Sequence, residues 1–390
     1  EAEVNYRIPF GNLKIGESAK RRIAAVLDSS WISEGHYVRE FEEKFAAKFG
    51  WKHAVATSSG TDAGIVVWSA VRELTGEYPG AAVLTPACAF VATANCLLAS
   101  GLYPRFIDVE IDTLNIEPSG VLAFLSDSRF TKPVGIQFVA TMGNPSPIDK
   151  VAKIAEEHDL YLVADQCESH GAMLYGKHIG QYVDASIYSF YAAHLIVGGE
   201  GGIICTDDDA LAEMCQSVKS HGRPPGSIFF DFQRVGFNSK WNEFCAAVAL
   251  ESLERFDKNF AKRREVRRKL IEALSSMEDK LILYRDDPGE VISPHAFPVV
   301  LRDENSWGTT RGLGALYKAL DDSGIQCKTL FGSLPTQHKV FELLGHKLGD
   351  FPVAERIGRT GLHLPCNEFM DDDDVIYIAD RVREFYQQEK

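Results

Sequence analysis

The sequence predicts an α/β protein with a large domain on a mostly parallel sheet and a smaller C-terminal α+β domain. Two observations carry this. From about Trp51 to Lys219, short apolar runs alternate with amphipathic stretches. Beyond Asn242 that alternation gives way to one long helical pattern followed by isolated strand-like and helical segments. The 390 residues suffice for a large core plus a second lobe. The expected division is an N-terminal segment over 1–50, the large domain over 51–242, and a long helix with the small domain over 243–390.

Each element has a local reason. Helical patterns around Glu17–Leu27 and Tyr37–Phe49 open the chain. Buried strands are expected at Ala54–Thr57, Ala81–Thr85, Arg105–Val109, Gly135–Ala140, Leu160–Ala164, Ala185–Ser189 and Gly202–Cys205. The stretch Ile148–His158 reads as a connecting amphipathic helix. Glu243–Leu274 reads as one helix or two broken pieces, and its basic run over 262–269 as a solvated face. A strand at Ala296–Leu301 and helices near Gly314–Asp322 and Asp374–Gln387 complete the pattern. The acidic residues Asp371–Asp374 complement the positive end of that last helix dipole.

Composition narrows the function. The net charge of -14 argues against nucleic acid as a partner. No apolar run reaches the length of a membrane span, and no signal-peptide pattern stands at Glu1, so a cytoplasmic location is expected. The eight cysteines are scattered without a C-x-x-C pair, which argues against zinc and against an iron–sulfur cluster. No metal is expected.

Four signals follow strands, where ligands bind in α/β sheets. Ser58-Ser59-Gly60-Thr61 would let backbone N–H groups approach a phosphate at a helix N-terminus, although any tight turn also favours Ser and Gly. Asp165, at the end of a buried strand, calls for a cation or for donors, or else caps a helix. Ser189-Phe190-Tyr191-Ala192-Ala193-His194 is followed by Gly198–Gly202. In Pro86-Ala87-Cys88-Ala89-Phe90, the aromatic ring either stacks on a flat ligand or fills the core.

Taken in order with Gly143-Asn144-Pro145 and with Gly236–Glu243 (GFNSKWNE), these segments resemble the DegT/DnrJ sugar aminotransferases from about Pro9 to Phe385. That family has the fold type I architecture and uses pyridoxal or pyridoxamine 5'-phosphate. The resemblance implies that 51–242 binds the cofactor. Gly60, Thr61 and Ser189 would hold its phosphate, Phe90 would lie on its ring, and Asp165 would pair with the ring nitrogen. Glu168 would sit near the cofactor, and Asn238 would reach the phosphate of a partner subunit. The family forms homodimers with shared active sites.

One departure bears on function. The aminotransferases carry a lysine where His194 stands, five residues after Ser189, and that lysine binds the cofactor covalently. Imidazole makes no such stable bond but serves as a general base. In this the chain resembles the lysine-to-histidine group of sugar 3-dehydratases, such as GDP-4-keto-6-deoxymannose 3-dehydratase, and His221 stands where that group has a second active-site histidine. The implied activity removes the C3 hydroxyl of a nucleotide-linked 4-keto-6-deoxyhexose, and glutamate restores the cofactor amine.

Two alternatives remain open: a sugar aminotransferase-like enzyme with other chemistry, and a catalytically inactive cofactor-binding dimer. A dinucleotide-binding oxidoreductase is disfavoured because Gly198–Gly202 lacks the G-x-G-x-x-G order. Trp31, Ile32, Ser33, Glu34 and His36 resemble the family's substrate-facing segment, while Arg223 and Arg234 either meet a nucleotide diphosphate or form ordinary salt bridges.

Overall fold

The computed structural model describes residues 6–11, 13–306 and 308–387. Glu1, where the chain was read for a leader, lies outside them. Seven strands form the large sheet: β1 (His53–Thr57), β2 (Ala82–Pro86), β3 (Tyr103–Ile107), β4 (Gly135–Val139), β5 (Tyr161–Asp165), β6 (Ala185–Ser189) and β7 (Gly202–Thr206). Each coincides with an expected apolar run to within a few residues. Their order is β1-β7-β6-β5-β4-β2-β3. β7 runs antiparallel to both of its neighbours, and the remaining pairs are parallel. β2, β4, β6 and β7 are buried along their whole lengths, which explains runs without alternation.

Helices cover both faces. Helix α1 (Glu17–Ser29) and helix α2 (His36–Phe49) come first. Helix α3 (Gly60–Thr75) brings Val66, Val67, Trp68 and Val71 into a core with Val83, Val163, Ile187 and Ile204 from the strands. Helix α4 (Val91–Ala99) packs beside it, and Ile148, Val151 and Ile154 of α5 (Ile148–Glu157) enter a second core with Leu84, Phe138 and Leu162.

The long helical pattern is two helices, α6 (Glu243–Glu254) and α7 (Phe256–Leu274), separated at Arg255. The basic run on α7 is not the solvated face that its charge suggested. Arg263 and Arg267 are buried, Arg263 pairs with Glu368 at 2.6 Å, and Arg267 pairs with Asp286 at 2.7 Å. Long stems with paired heads let these arginines join α7 to the C-terminal part of the chain.

There a four-stranded antiparallel sheet forms from β8 (Leu281–Leu283), β9 (Phe297–Leu301), β10 (Lys328–Thr329) and β11 (Gly361–Leu364), in the order β8-β9-β11-β10. Its apolar side packs against the final helix, Asp372–Gln387, whose first turn holds Asp372, Asp373 and Asp374. Among the described residues no helix is long and apolar enough to cross a membrane.

Candidate active site

The carboxyl ends of β1, β2, β5 and β6 open onto a cavity of about 380 Å³, and the second sheet supplies its opposite wall. On the phosphate side, Ser59 caps α3 by accepting from the Asp62 N–H at 3.0 Å. A Cβ on Gly60 would stand 2.7 Å from Ser189 Cβ and 3.1 Å from Cys167 Sγ, so only glycine fits there. Ser189, at the end of β6, completes a cradle at the start of a long helix, and Thr61 also lines it. Small residues and oriented N–H groups suit a phosphate.

Asp165 ends β5. Its carboxylate accepts from Thr93 Oγ1 and from the Cys167 N–H, each at 3.1 Å. Burial still pushes its pKa up, because no cation meets it. A protonated pyridine nitrogen is the missing charge, so the residues present fit the coenzyme. Phe90 is 57% exposed at the head of α4, its ring open to the cavity, rather than filling the core.

Glu168 accepts from the Met142 N–H at 2.9 Å, and Met142 holds a left-handed φ of 52°. Burial pushes the Glu168 carboxyl up to about 8, so it carries a proton at neutral pH and can donate. His194 stands in a turn after β6, its N–H donating to the Tyr191 carbonyl at 3.0 Å. Its side chain lines the cavity, with Nδ1 buried and unpartnered. Burial pushes its pKa down to about 3, with Arg263 and Lys328 adding to the effect, so the free protein presents a neutral imidazole.

Other expected residues lie elsewhere. His221 and Asn238 are exposed and outside the cavity of their own chain. They are neighbours: Ser220 bridges to Asn238, and the His221 N–H donates to the Phe237 carbonyl at 2.8 Å. His221, expected as a catalytic residue, thus stands on an outer loop away from the cavity of its own chain. Arg234 instead meets Ser217 Oγ at 2.6 Å and Glu73 at 3.7 Å, and neither it nor Arg223 lines the cavity. Of the N-terminal segment, Glu34 pairs with the buried Lys219 at 3.2 Å, which ties the segment to the large sheet.

The second sheet brings residues that the motifs did not single out: His295, Lys328, Thr329, Phe331 and His363, with Phe10 beside them. Gly143 explains part of this meeting, since a Cβ there would stand 2.0 Å from the Ser293 carbonyl, two residues before His295. His170 packs behind His194 with ring centroids 6.3 Å apart.

A small-residue cradle that suits a phosphate, an aspartate that suits a ring nitrogen and an exposed aromatic beside them accord with a fold type I pyridoxal phosphate-dependent enzyme. Residues 13–383 match the DegT/DnrJ/EryC1/StrS aminotransferase family, and the chain belongs to that family. Relatives of two kinds are similar to it. The dTDP-4-dehydro-2,6-dideoxy-D-glucose 3-dehydratase of Saccharopolyspora spinosa is 30% identical, over 91% of this chain and 81% of that protein. GDP-perosamine synthase of Escherichia coli O157:H7 is 26% identical, over 97% and 98%. Among solved structures, the E. coli GDP-4-keto-6-deoxy-D-mannose-3-dehydratase with bound hydrated PLP has a TM-score of 0.86 at 25% identity, covering 96% of this chain and 99% of that one.

Proposed function

We propose that this enzyme is a pyridoxamine phosphate-dependent 3-dehydratase of a nucleotide-linked 4-keto-6-deoxyhexose. The observation that carries this reading is His194, an unattached imidazole in the position of the aminotransferase lysine, whose side chain lines the cavity. When bound, the coenzyme supplies an amine and an electron-accepting ring. Asp165 holds the charge on the ring nitrogen, and Glu168 donates its proton within the cavity. His194 takes up a proton at the reacting carbon and returns one to the C3 oxygen, which leaves as water. The phosphate contacts and Phe90 fix the geometry.

The overall balance is specific. One sugar and one glutamate give one 3-deoxy-4-keto sugar, one 2-oxoglutarate and one ammonia, with no other reductant. The second copy in a homodimer is supported by an exposed apolar loop, with Ile228 86%, Phe230 84% and Val235 79% exposed, next to Asn238 and His221. Pairing through that loop would carry both residues to the partner's cavity.

The test is a stoichiometric assay with GDP- and dTDP-linked 4-keto-6-deoxyhexoses, glutamate and pyridoxal phosphate. One ammonia per 2-oxoglutarate and a product 16 mass units lighter (roughly one oxygen atom) support dehydration. Amino-sugar formation without free ammonia rejects it. That second reading, amine transfer, is favoured by one observation: Lys328 also lines the cavity and is able to hold the coenzyme covalently.

A further inference from the structure

Lys328 and His363 face each other across the register of β10 and β11, so their side chains rise from the same side of the sheet into the cavity. His363 is 4% exposed, and neither of its ring nitrogens has a hydrogen-bond partner. The Lys328 ammonium lies 4.9 Å above the Phe10 ring, and that ring lies 5.0 Å from the His363 imidazole. None of the ion pairs among the described residues includes Lys328. The same Phe10 ring lies 6.1 Å from that of His295, which lies 5.2 Å from the His194 ring, so Lys328 and His363 stand on the His194 side of the cavity.

An unpaired ammonium beside a buried, unpaired imidazole is a two-donor site for one anion, each donor meeting one oxygen. Two anions reach this enzyme. The diphosphate of a nucleotide sugar hangs on C1, across the pyranose ring from the reacting C4. The α-carboxylate of an amino acid is bonded to the reacting carbon itself. A site joined to His194 through the Phe10 and His295 rings suits the second. We propose that Lys328 and His363 bind the α-carboxylate of the amino donor that restores the coenzyme amine. This rests on the reading that the amine enters from an amino acid, and it names where that donor is held. Phe10 forms the shared floor that keeps both donors in place.

The experiment loads the enzyme with pyridoxal phosphate and follows its conversion by glutamate from the absorbance change. Binding of glutarate, an unreactive dicarboxylate probe, is measured in parallel by calorimetry. Lys328→Gln should raise the glutamate concentration for half-maximal rate about 10- to 100-fold, as loss of a charge-assisted bond requires. Glutarate should weaken by about 10-fold or more. Lys328→Arg should recover most of both effects. His363→Asn, which keeps a side-chain donor, should fall between wild type and Lys328→Gln. In single-turnover reactions of enzyme preloaded with pyridoxamine phosphate, the sugar step should fall at least about 10-fold less than the amine step.

Unchanged glutamate dependence in a folded Lys328→Gln protein overturns the proposal. Equal loss in the sugar step overturns it in favour of a diphosphate anchor. Borohydride attachment of the coenzyme to Lys328 overturns it in favour of a covalent role. Wild type that takes no amine from glutamate also overturns it. Wild type that takes the amine without deoxygenating any sugar rejects the dehydratase reading alone.

Discussion

The rings of His194 and His295 face each other across the junction of the two sheets, with centroids 5.2 Å apart and planes inclined by 41°. Both sit among further buried imidazoles, His170 and His363, and all four have pKa values depressed by burial. A depressed pKa means that the unfolded chain binds more protons below about 6.5. The cofactor-free protein should therefore lose stability as pH falls through that value. At about pH 5.5 the four together should cost on the order of a few kcal/mol. Urea denaturation at pH 7 and pH 5.5 measures the difference, and equal midpoints would show that the four imidazoles are charged in the native state.

Glu168 gives the opposite slope. Its folded pKa of about 8 lies above the ordinary 4.5, so the native state holds a proton that the unfolded chain has lost in between. Stability contributed by this group falls as pH rises from about 4.5 to about 8. Glu168→Gln keeps an acceptor for the Met142 N–H without a charge to bury. It should stabilise the cofactor-free protein by a few kcal/mol at about pH 8 and by little near pH 5. Parallel denaturation curves at both pH values check this.

His194→Asn should lower deoxygenation about 10²- to 10⁴-fold, the usual effect of removing a general base, with cofactor affinity nearly unchanged. His194→Lys should create a coenzyme bond that borohydride traps and peptide mapping locates at position 194, and should lose the release of ammonia. A variant that still releases one ammonia per 2-oxoglutarate at the wild-type rate would remove His194 from the chemistry.

Gly60→Ala tests the phosphate cradle. The added methyl meets Ser189 Cβ at 2.7 Å and Ser189 Cα at 3.3 Å, so β6 or α3 has to shift. The expected cost is about 1–3 kcal/mol of stability, with pyridoxal phosphate affinity down about 10-fold or more. Equilibrium dialysis with the coenzyme reads the affinity, and wild-type binding would place the phosphate elsewhere.

The half of the site built on the large sheet was legible because it is local. Gly60, Phe90, Asp165, Ser189 and His194 each lie just beyond or at the end of a strand that its own apolar run announces, and the fold gathers strand ends automatically. His295, Lys328 and His363 carry no motif, and they enter only because two sheets meet. One signal was present. His363 interrupts an otherwise apolar, fully buried strand, where an imidazole without partners costs desolvation energy. The buried arginines of α7 were misread because charge alone does not show that Glu368 and Asp286 wait for them about twenty to a hundred residues later. His221 and Asn238 were read as functional types, and the structure places both on the exposed surface, outside the cavity of their own chain, which no local pattern announces.

His194 sits in a turn, outside every strand and helix, held by a single backbone bond to Tyr191. No sheet register and no helix periodicity depends on which side chain that position carries. A change of reagent there leaves the scaffold's folding instructions intact.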